Sequence, residues 1–207
     1  CLVGAGVSEL FQTIFGERPI TGGCLKIAGV PVTKHSIHRA MLNKVSMIAA
    51  NRKENSIIPD FTLLENDYIS EHTLTWRHQH ISRKKEVQKY EELRKKLNIK
   101  SNSPDDLITS LSGGNQQKVI LARWLNTQSD ILLMDNPTQG IDVGAKAEIY
   151  RLIQELARSG KTILVNTLEI PEIQQVADRC VVFYHGSLQA QLDRSEISEE
   201  AVMLQAT

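Results

Sequence analysis

The chain has 207 residues, enough for one well-buried core, with 24 basic residues against 24 acidic ones. That balance leaves no electrostatic footprint for nucleic acid or an anionic membrane, and no apolar run approaches the ~20 residues needed to span a bilayer. Cys1, Cys24 and Cys180 are an odd set at wide spacing, which suits a reducing compartment better than a disulfide framework.

Taken in chain order, residues 1–10 read as the end of a strand, a glycine turn at Gly4-Ala5-Gly6 and the start of a helix running from Ser8 to Phe15, stopped by Gly16. The chain opens at Cys1 inside this pattern, so we expect a fragment or the second half of a longer polypeptide. Thr21-Gly22-Gly23 predicts a turn, Cys24 to Ile27 a short strand, and Ala28-Gly29 a second turn. Ser36 to Leu42 predicts a helix and Val45 to Ala49 a strand. Arg52 and Lys53 read as a solvated charged turn as readily as part of a site. Ser70 to His80 carries His72, His78, His80 and Trp76. No acidic or cysteine partner stands beside these histidines at good spacing, so a surface loop is expected rather than a metal site.

Arg83 to Leu97 is an amphipathic helix, with Val87, Tyr90, Leu93 and Leu97 on one face and a solvated charge run on the other. Ser103-Pro104-Asp105-Asp106 resembles a helix start, because proline suits the first position and aspartate complements the dipole. Ser112-Gly113-Gly114 leads into a helix from Gln116 to Leu125. Bare glycine N–H groups and a serine hydroxyl at the mouth of a helix suit a phosphate, although a plain N-cap has the same local pattern. Asp130 to Met134 and Thr162 to Val165 are continuous apolar runs, the mark of parallel strands buried on both faces. Helices are predicted from Gly144 to Arg158 and from Pro171 to Ala177. Strands are predicted from Cys180 to Phe183 and from Leu188 to Gln191. The alternation predicts an α/β fold with a mostly parallel sheet flanked by helices.

Leu111-Ser112-Gly113-Gly114-Asn115-Gln116-Gln117-Lys118 resembles the signature loop of ABC-type ATPases, and Ile131 to Asp142 resembles their Walker B strand and D-loop. The Gly-Asn-Gln-Gln variant resembles in particular the second half of the monosaccharide importers of the ribose, galactose, xylose and autoinducer-2 types. The resemblance can be followed from Val3 to Leu188. It implies a P-loop fold of ABC type in one nucleotide-binding domain over residues 1–207. A helical subdomain over residues 60–125 would contain the signature loop, beside a remnant antiparallel β-subdomain. It also implies ATP and Mg²⁺ as cofactors and a competent ATP-binding half as partner. Further partners would be membrane permease subunits and, indirectly, a periplasmic sugar-binding protein, at the cytoplasmic face of the membrane. Exposed residues near Ile57 to Leu64 would meet the permease.

Two sets of parts separate under this resemblance. One set departs from the pattern: Val7 stands at the phosphate-loop lysine, Ala50 at the metal-loop side chain, Asn136 at the general-base glutamate and Leu168 at the switch histidine. An amide is no proton acceptor at neutral pH, and valine brings no charge to a phosphate. Gly4, Ala5, Gly6 and Ser8 would hold an anion weakly, and Asp135 keeps the carboxylate for Mg²⁺. The other set is whole: Ser112, Gly113, Gly114, Gln116 and Asp142 match the parts that close over ATP bound to the opposite half. The expectation is a chain that completes a partner's site while its own is degenerate. The alternatives are an inert remnant of such an ATPase, or a non-transporter ABC protein of the DNA-repair or translation-factor kind.

Overall fold

The computed structural model describes residues 5–75 and 81–205. Gly4, Trp76, His78 and His80 lie outside the described residues. The centre is a parallel sheet in the order β3 (Val45–Ile48), β4 (Ile131–Asp135), β5 (Thr162–Asn166). Every residue of β3 is buried, and Leu132, Leu133 and Met134 of β4 are at most 1% exposed, as continuous apolar runs require. Helix α1 (Val7–Phe15) packs on β3 and β4, and α6 (Gly113–Asn126) packs on β3. Phe15 meets Trp124 edge-to-face at 5.6 Å, joining these two helices. Helix α7 (Val143–Arg158) packs on both β5 and α6.

Smaller units surround this centre. β1 (Lys26–Ile27) and β2 (Val30–Pro31) form a short antiparallel hairpin, which begins two residues later than the sequence pattern indicates. α2 (Ile37–Leu42) is capped by Ser36, whose hydroxyl accepts from the Arg39 N–H. α3 (Arg52–Asn55) is a single turn after β3. α8 (Ile170–Val176) leads to an antiparallel pair, β6 (Arg179–Tyr184) and β7 (Ser187–Asp193), followed by α9 (Glu199–Leu204). Cys180, Val182, Ile197 and Val202 form a second, smaller core there.

Two sequence expectations fail. Ser70 to Thr75 is no loop: it is the last part of α4 (Leu63–Thr75), and His72 lies 2.7 Å from Glu86 on α5 (Arg83–Lys96). That cross-helix pair supplies the local support that composition alone does not reveal. Ser103 to Asp106 starts no helix. The Asp106 carboxylate accepts the N–H groups of Asn102 (3.1 Å) and Ser103 (2.9 Å), closing a turn, and a 3₁₀ turn at Ile108–Ser110 follows.

The packing of α4 on α6 is polar at its heart. Asn66 and Asp67 are fully buried and face Arg123 and Asn126. Asp67 Oδ2 accepts from Asn126 Nδ2 at 2.8 Å, while Asp67 Oδ1 and Asn126 Oδ1 are buried with no donor. Burial pushes the Asp67 carboxyl up to about 7, against the opposing pull of the Asn126 hydrogen bond and the Arg123 charge. A proton on Oδ1 turns an acceptor lacking a donor into a donor, so carboxylic acid beside carboxamide is the complementary state. The folded form then holds this proton to higher pH than the unfolded chain. Its contribution to stability is fully present below the ordinary aspartate range and is lost as pH rises through about 7. Asp67→Asn is expected to remove that slope and to raise the denaturation midpoint at pH 8 relative to the native chain. Denaturant titrations at pH 5 and pH 8 check this, and an unchanged slope in the variant contradicts it.

Candidate nucleotide site

The sheet delivers one group of side chains to its carboxyl edge. β4 ends at Asp135, which is 2% exposed, and β5 ends at Asn166. Asn166 Nδ2 donates to Asp135 Oδ1 at 2.7 Å and reaches Ser8 Oγ at 3.5 Å, so Ser8 and Asp135 converge through it. Asn136 Nδ2 donates to the same Asp135 oxygen at 3.0 Å, and its own N–H donates to the Asn166 carbonyl at 2.8 Å. Asn136 takes a left-handed φ of 46°, which asparagine tolerates better than most residues. Asn166 Oδ1 is buried without a partner. A hydroxyl, a carboxylate and an orphaned amide oxygen in one place are hard-oxygen donors and fit a Mg²⁺ ion. The sequence reading did not single out Asn166. Its only signal was a polar residue at the end of an apolar strand run.

The glycine turn at this edge is packed. Val7 is 9% exposed and faces the core from the first turn of α1. Gly6 caps that helix with φ 90°, and a Cβ there would lie 3.2 Å from Gly186 Cα in the β6–β7 turn. The Gly186 N–H donates to the Ala5 carbonyl at 3.1 Å. Leu168, beyond β5, is 48% exposed and presents an apolar surface.

The second group lies at the mouth of α6. The helix starts at Gly113, three residues earlier than the sequence pattern indicates, so both glycines lie in its first turn and Ser112 is the N-cap. The reason is close approach. A Cβ on Gly114 would lie 2.6 Å from Ala145 Cβ on α7, and one on Gly113 would lie 2.8 Å from a terminal nitrogen of Arg52. Ser112 is exposed, and its hydroxyl accepts from Asn115 Nδ2 at 3.0 Å. Gln116 is buried. Its amide donates to the carbonyls of Ile108 (3.2 Å) and Leu111 (3.1 Å), and its oxygen accepts from Arg52 Nε (3.2 Å). Gln116 therefore braces the loop from within. Arg52, which the sequence allowed as a solvated turn, is 9% exposed, and burial lowers its pKa.

Asp142 caps α7, accepting the Ala145 N–H at 2.9 Å. The loop from Asn136 to Asp142 is held from below by Glu172, a residue the sequence gave no reason to choose. Its carboxylate accepts from Thr138 (2.8 Å), Thr167 (2.5 Å) and Lys146 (3.3 Å). Burial alone pushes Glu172 up. Hydrogen bonds from Thr167, Tyr150, Thr138 and Lys146 outweigh it and hold the carboxyl below its usual range.

Residues 3–139 match the family model described as ABC transporter. The chain belongs to the ABC transporter family. Members of this family bind ATP with Mg²⁺. The chain is 40% identical over 206 residues to the ribose import ATP-binding protein RbsA of Halalkalibacterium halodurans, an alignment covering 100% of this chain and 41% of that protein. It is also 40% identical over 205 residues to the arabinose import ATP-binding protein AraG of Vibrio parahaemolyticus, covering 98% of this chain and 40% of that one. The chain thus spans about two fifths of the curated relatives it matches. Among solved structures, it resembles a dimeric ATP-binding cassette bound to ADP and Pi, with a TM-score of 0.78 and 22% identity over 93% of this chain and 82% of that one. A second cassette of an ABC transporter gives a TM-score of 0.80 at 21% identity, over 97% of this chain and 83% of that one. These likenesses establish the fold: a parallel α/β sheet with flanking helices, of ABC ATPase type.

Proposed function

We propose that this chain is the second ATP-binding half of a carbohydrate importer. It would lend Ser112, Gly113, Gly114 and Asp142 to ATP bound on a competent partner half and hold nucleotide only weakly at its own edge. The observation that carries this reading is a contrast between two places on one chain. At the mouth of α6 the glycines are held bare by Ala145 and Arg52, and Ser112 stands exposed. At the sheet edge Val7 is turned into the core, Asn136 gives its amide to Asp135, and Leu168 is apolar. Phosphoryl transfer needs placed donors: the first place offers a serine hydroxyl and bare N–H groups at a helix mouth, whereas the second presents a valine, an amide already given to Asp135 and a leucine.

Within this reading, Ser8 and Asp135 are the residues that would hold Mg²⁺, which would supply positive charge to offset that of a phosphate. Gly4, Ala5 and Gly6 would add only backbone contacts. Gln116 would act by bracing the loop. Residues 1–207 would form one nucleotide-binding domain, with 60–125 as its helical subdomain. The curated relatives named for ribose and arabinose import point to a monosaccharide as cargo. Permease subunits and a periplasmic sugar-binding protein would then be the remaining partners. No helix among the described residues is long and apolar enough to cross a membrane, so a peripheral place at the cytoplasmic face suits the reading. Of the stretch proposed to meet the permease, Ile57, Leu63 and Leu64 are buried, which leaves Pro59, Asp60 and Phe61 to face outward.

Calorimetric titration of Mg-ATP tests the proposal. The chain alone is expected to give no micromolar binding, and adding it to a competent first half is expected to raise that half's ATPase rate. Micromolar binding by the chain alone would overturn the degenerate-site reading. Silence in both assays with folded protein would favour the inert remnant.

A further inference from the structure

Arg52 poses a physical problem that the nucleotide site does not absorb. Its guanidinium is buried, and among the described residues no carboxylate pairs with it. A buried cation without a counter-charge is costly unless hydrogen bonds hold it in place. Two do. Nε donates to Gln116 Oε1 at 3.2 Å, and a terminal nitrogen donates to the Gln139 carbonyl at 3.5 Å. Each acceptor belongs to a different part of the proposed phosphate-facing surface. Gln116 holds the carbonyls of Ile108 and Leu111, and so the approach to Ser112. Gln139 lies in the loop that leads to Asp142, and its side-chain oxygen also accepts the Asn51 N–H at 3.4 Å. At Gly113 the two parts come closest. A Cβ there would meet Arg52 at 2.8 Å and the Gly140 carbonyl at 3.3 Å. The turn at 51–52, the approach at 108–116 and the loop at 139–140 therefore meet around one planar fork. An arginine spans two acceptors at fixed angles, whereas a lysine offers one flexible point.

We infer that Arg52 is a positioning residue: it sets the Ser112–Gly114 loop against the Gln139–Asp142 loop, so that both meet a partner's nucleotide as one rigid surface. The use of that surface rests on the function proposed above; the rigid coupling of the two loops does not. Arg52 touches no nucleotide in this account and acts through Gln116 and Gln139. Because no ion pair is broken, its loss leaves no carboxylate stranded.

The test uses the chain assembled with its competent half and permease. Spin labels are placed at Ser110→Cys and Val143→Cys, both exposed positions flanking the two loops, with Cys1 and Cys24 replaced by serine. Electron–electron distance measurements, ATPase turnover and the melting temperature are read on the native residue and on Arg52→Met, Arg52→Lys and Ser112→Ala. Arg52→Met is expected to broaden the label-to-label distance distribution and lower turnover roughly tenfold or more, with only a modest drop in melting temperature from the buried Gln116 Oε1 that loses its donor. Arg52→Lys is expected to fail to restore either. A narrow distribution in Arg52→Met overturns the inference, whether turnover is kept or falls together with the melting temperature. If Ser112→Ala also keeps full turnover, the function proposed above fails, while the distance distribution still decides whether Arg52 couples the loops.

Discussion

Ser112→Ala is expected to lower the ATPase rate of the assembled pair about 100-fold, the scale of losing one placed donor to a developing charge. It is expected to leave the fold nearly untouched. An N-cap serine that bonds a backbone N–H of the first turn is worth ~1 kcal/mol. Ser112 makes no such bond. Its hydroxyl accepts from Asn115 Nδ2, and Asn115 stays anchored through the Lys100 N–H on its oxygen at 2.9 Å. Removing an exposed hydroxyl of this kind should change stability by less than about 0.5 kcal/mol. Steady-state turnover and a thermal melt on the same preparation separate the two effects. An unchanged rate would show that this loop does not serve the partner's nucleotide.

Arg123→Met is expected to have the largest effect on stability. Arg123 is 7% exposed and ties α6 to the entrance of α4 through three bonds. It donates to the Asn66 carbonyl at 2.5 Å, to the Ser56 carbonyl at 2.7 Å and to Asn66 Oδ1 at 3.0 Å. Asn66 in turn donates to the carbonyls of Ile58, Phe61 and Thr62 and accepts the Ile58 N–H. One guanidinium and one amide thus pin the segment from Ser56 to Asn66 to α6, beside its backbone bonds to residues 104–108. Methionine fills the volume but takes the donor from the Ser56 carbonyl, removes one donor each from the Asn66 carbonyl and Oδ1, and removes the charge that favours the ionised form of Asp67. Removing one member of a buried charged network costs about 3–5 kcal/mol. For a chain of this size that corresponds to a melting-temperature drop of roughly 10 °C. Arg123→Lys should recover only part, since one ammonium does not reach all three oxygens. A loss below about 1 kcal/mol would mean that water replaces the arginine's donors.

What could be read in advance depended on how local each determinant is. The strands at Val45, Ile131 and Thr162 were legible because strands of a parallel sheet covered on both faces must be apolar along their length. Helix stops at Gly16 and after Arg158 were legible because a left-handed cap or a break in the pattern is written in one or two residues. The candidate site residues could be proposed from the sequence only through a resemblance, carried by the strings at 111–118 and 131–142. The true start of α6 was not. Whether Gly113 and Gly114 form a loop or a first helical turn depends on how closely α7 and Arg52 approach, and both come from distant parts of the chain.

The same reason separates the remaining cases. The sequence by itself determined the α/β class and the apolar strands of the parallel sheet, and it put uncharged side chains at Val7, Asn136 and Leu168, since these depend on residue type and near neighbours. Only the tertiary structure decided that Arg52 is buried rather than solvated. Only it brought Asn166 between Ser8 and Asp135, placed Glu172 beneath the loop at Thr138, and left Asp67 beside Asn126 with unmatched oxygens. Each of these is a polar side chain whose protonation and partners are set by burial and by donors many residues away. A polar residue in a sequence carries no mark of whether water or protein will satisfy it; the packing of the surrounding elements makes that choice.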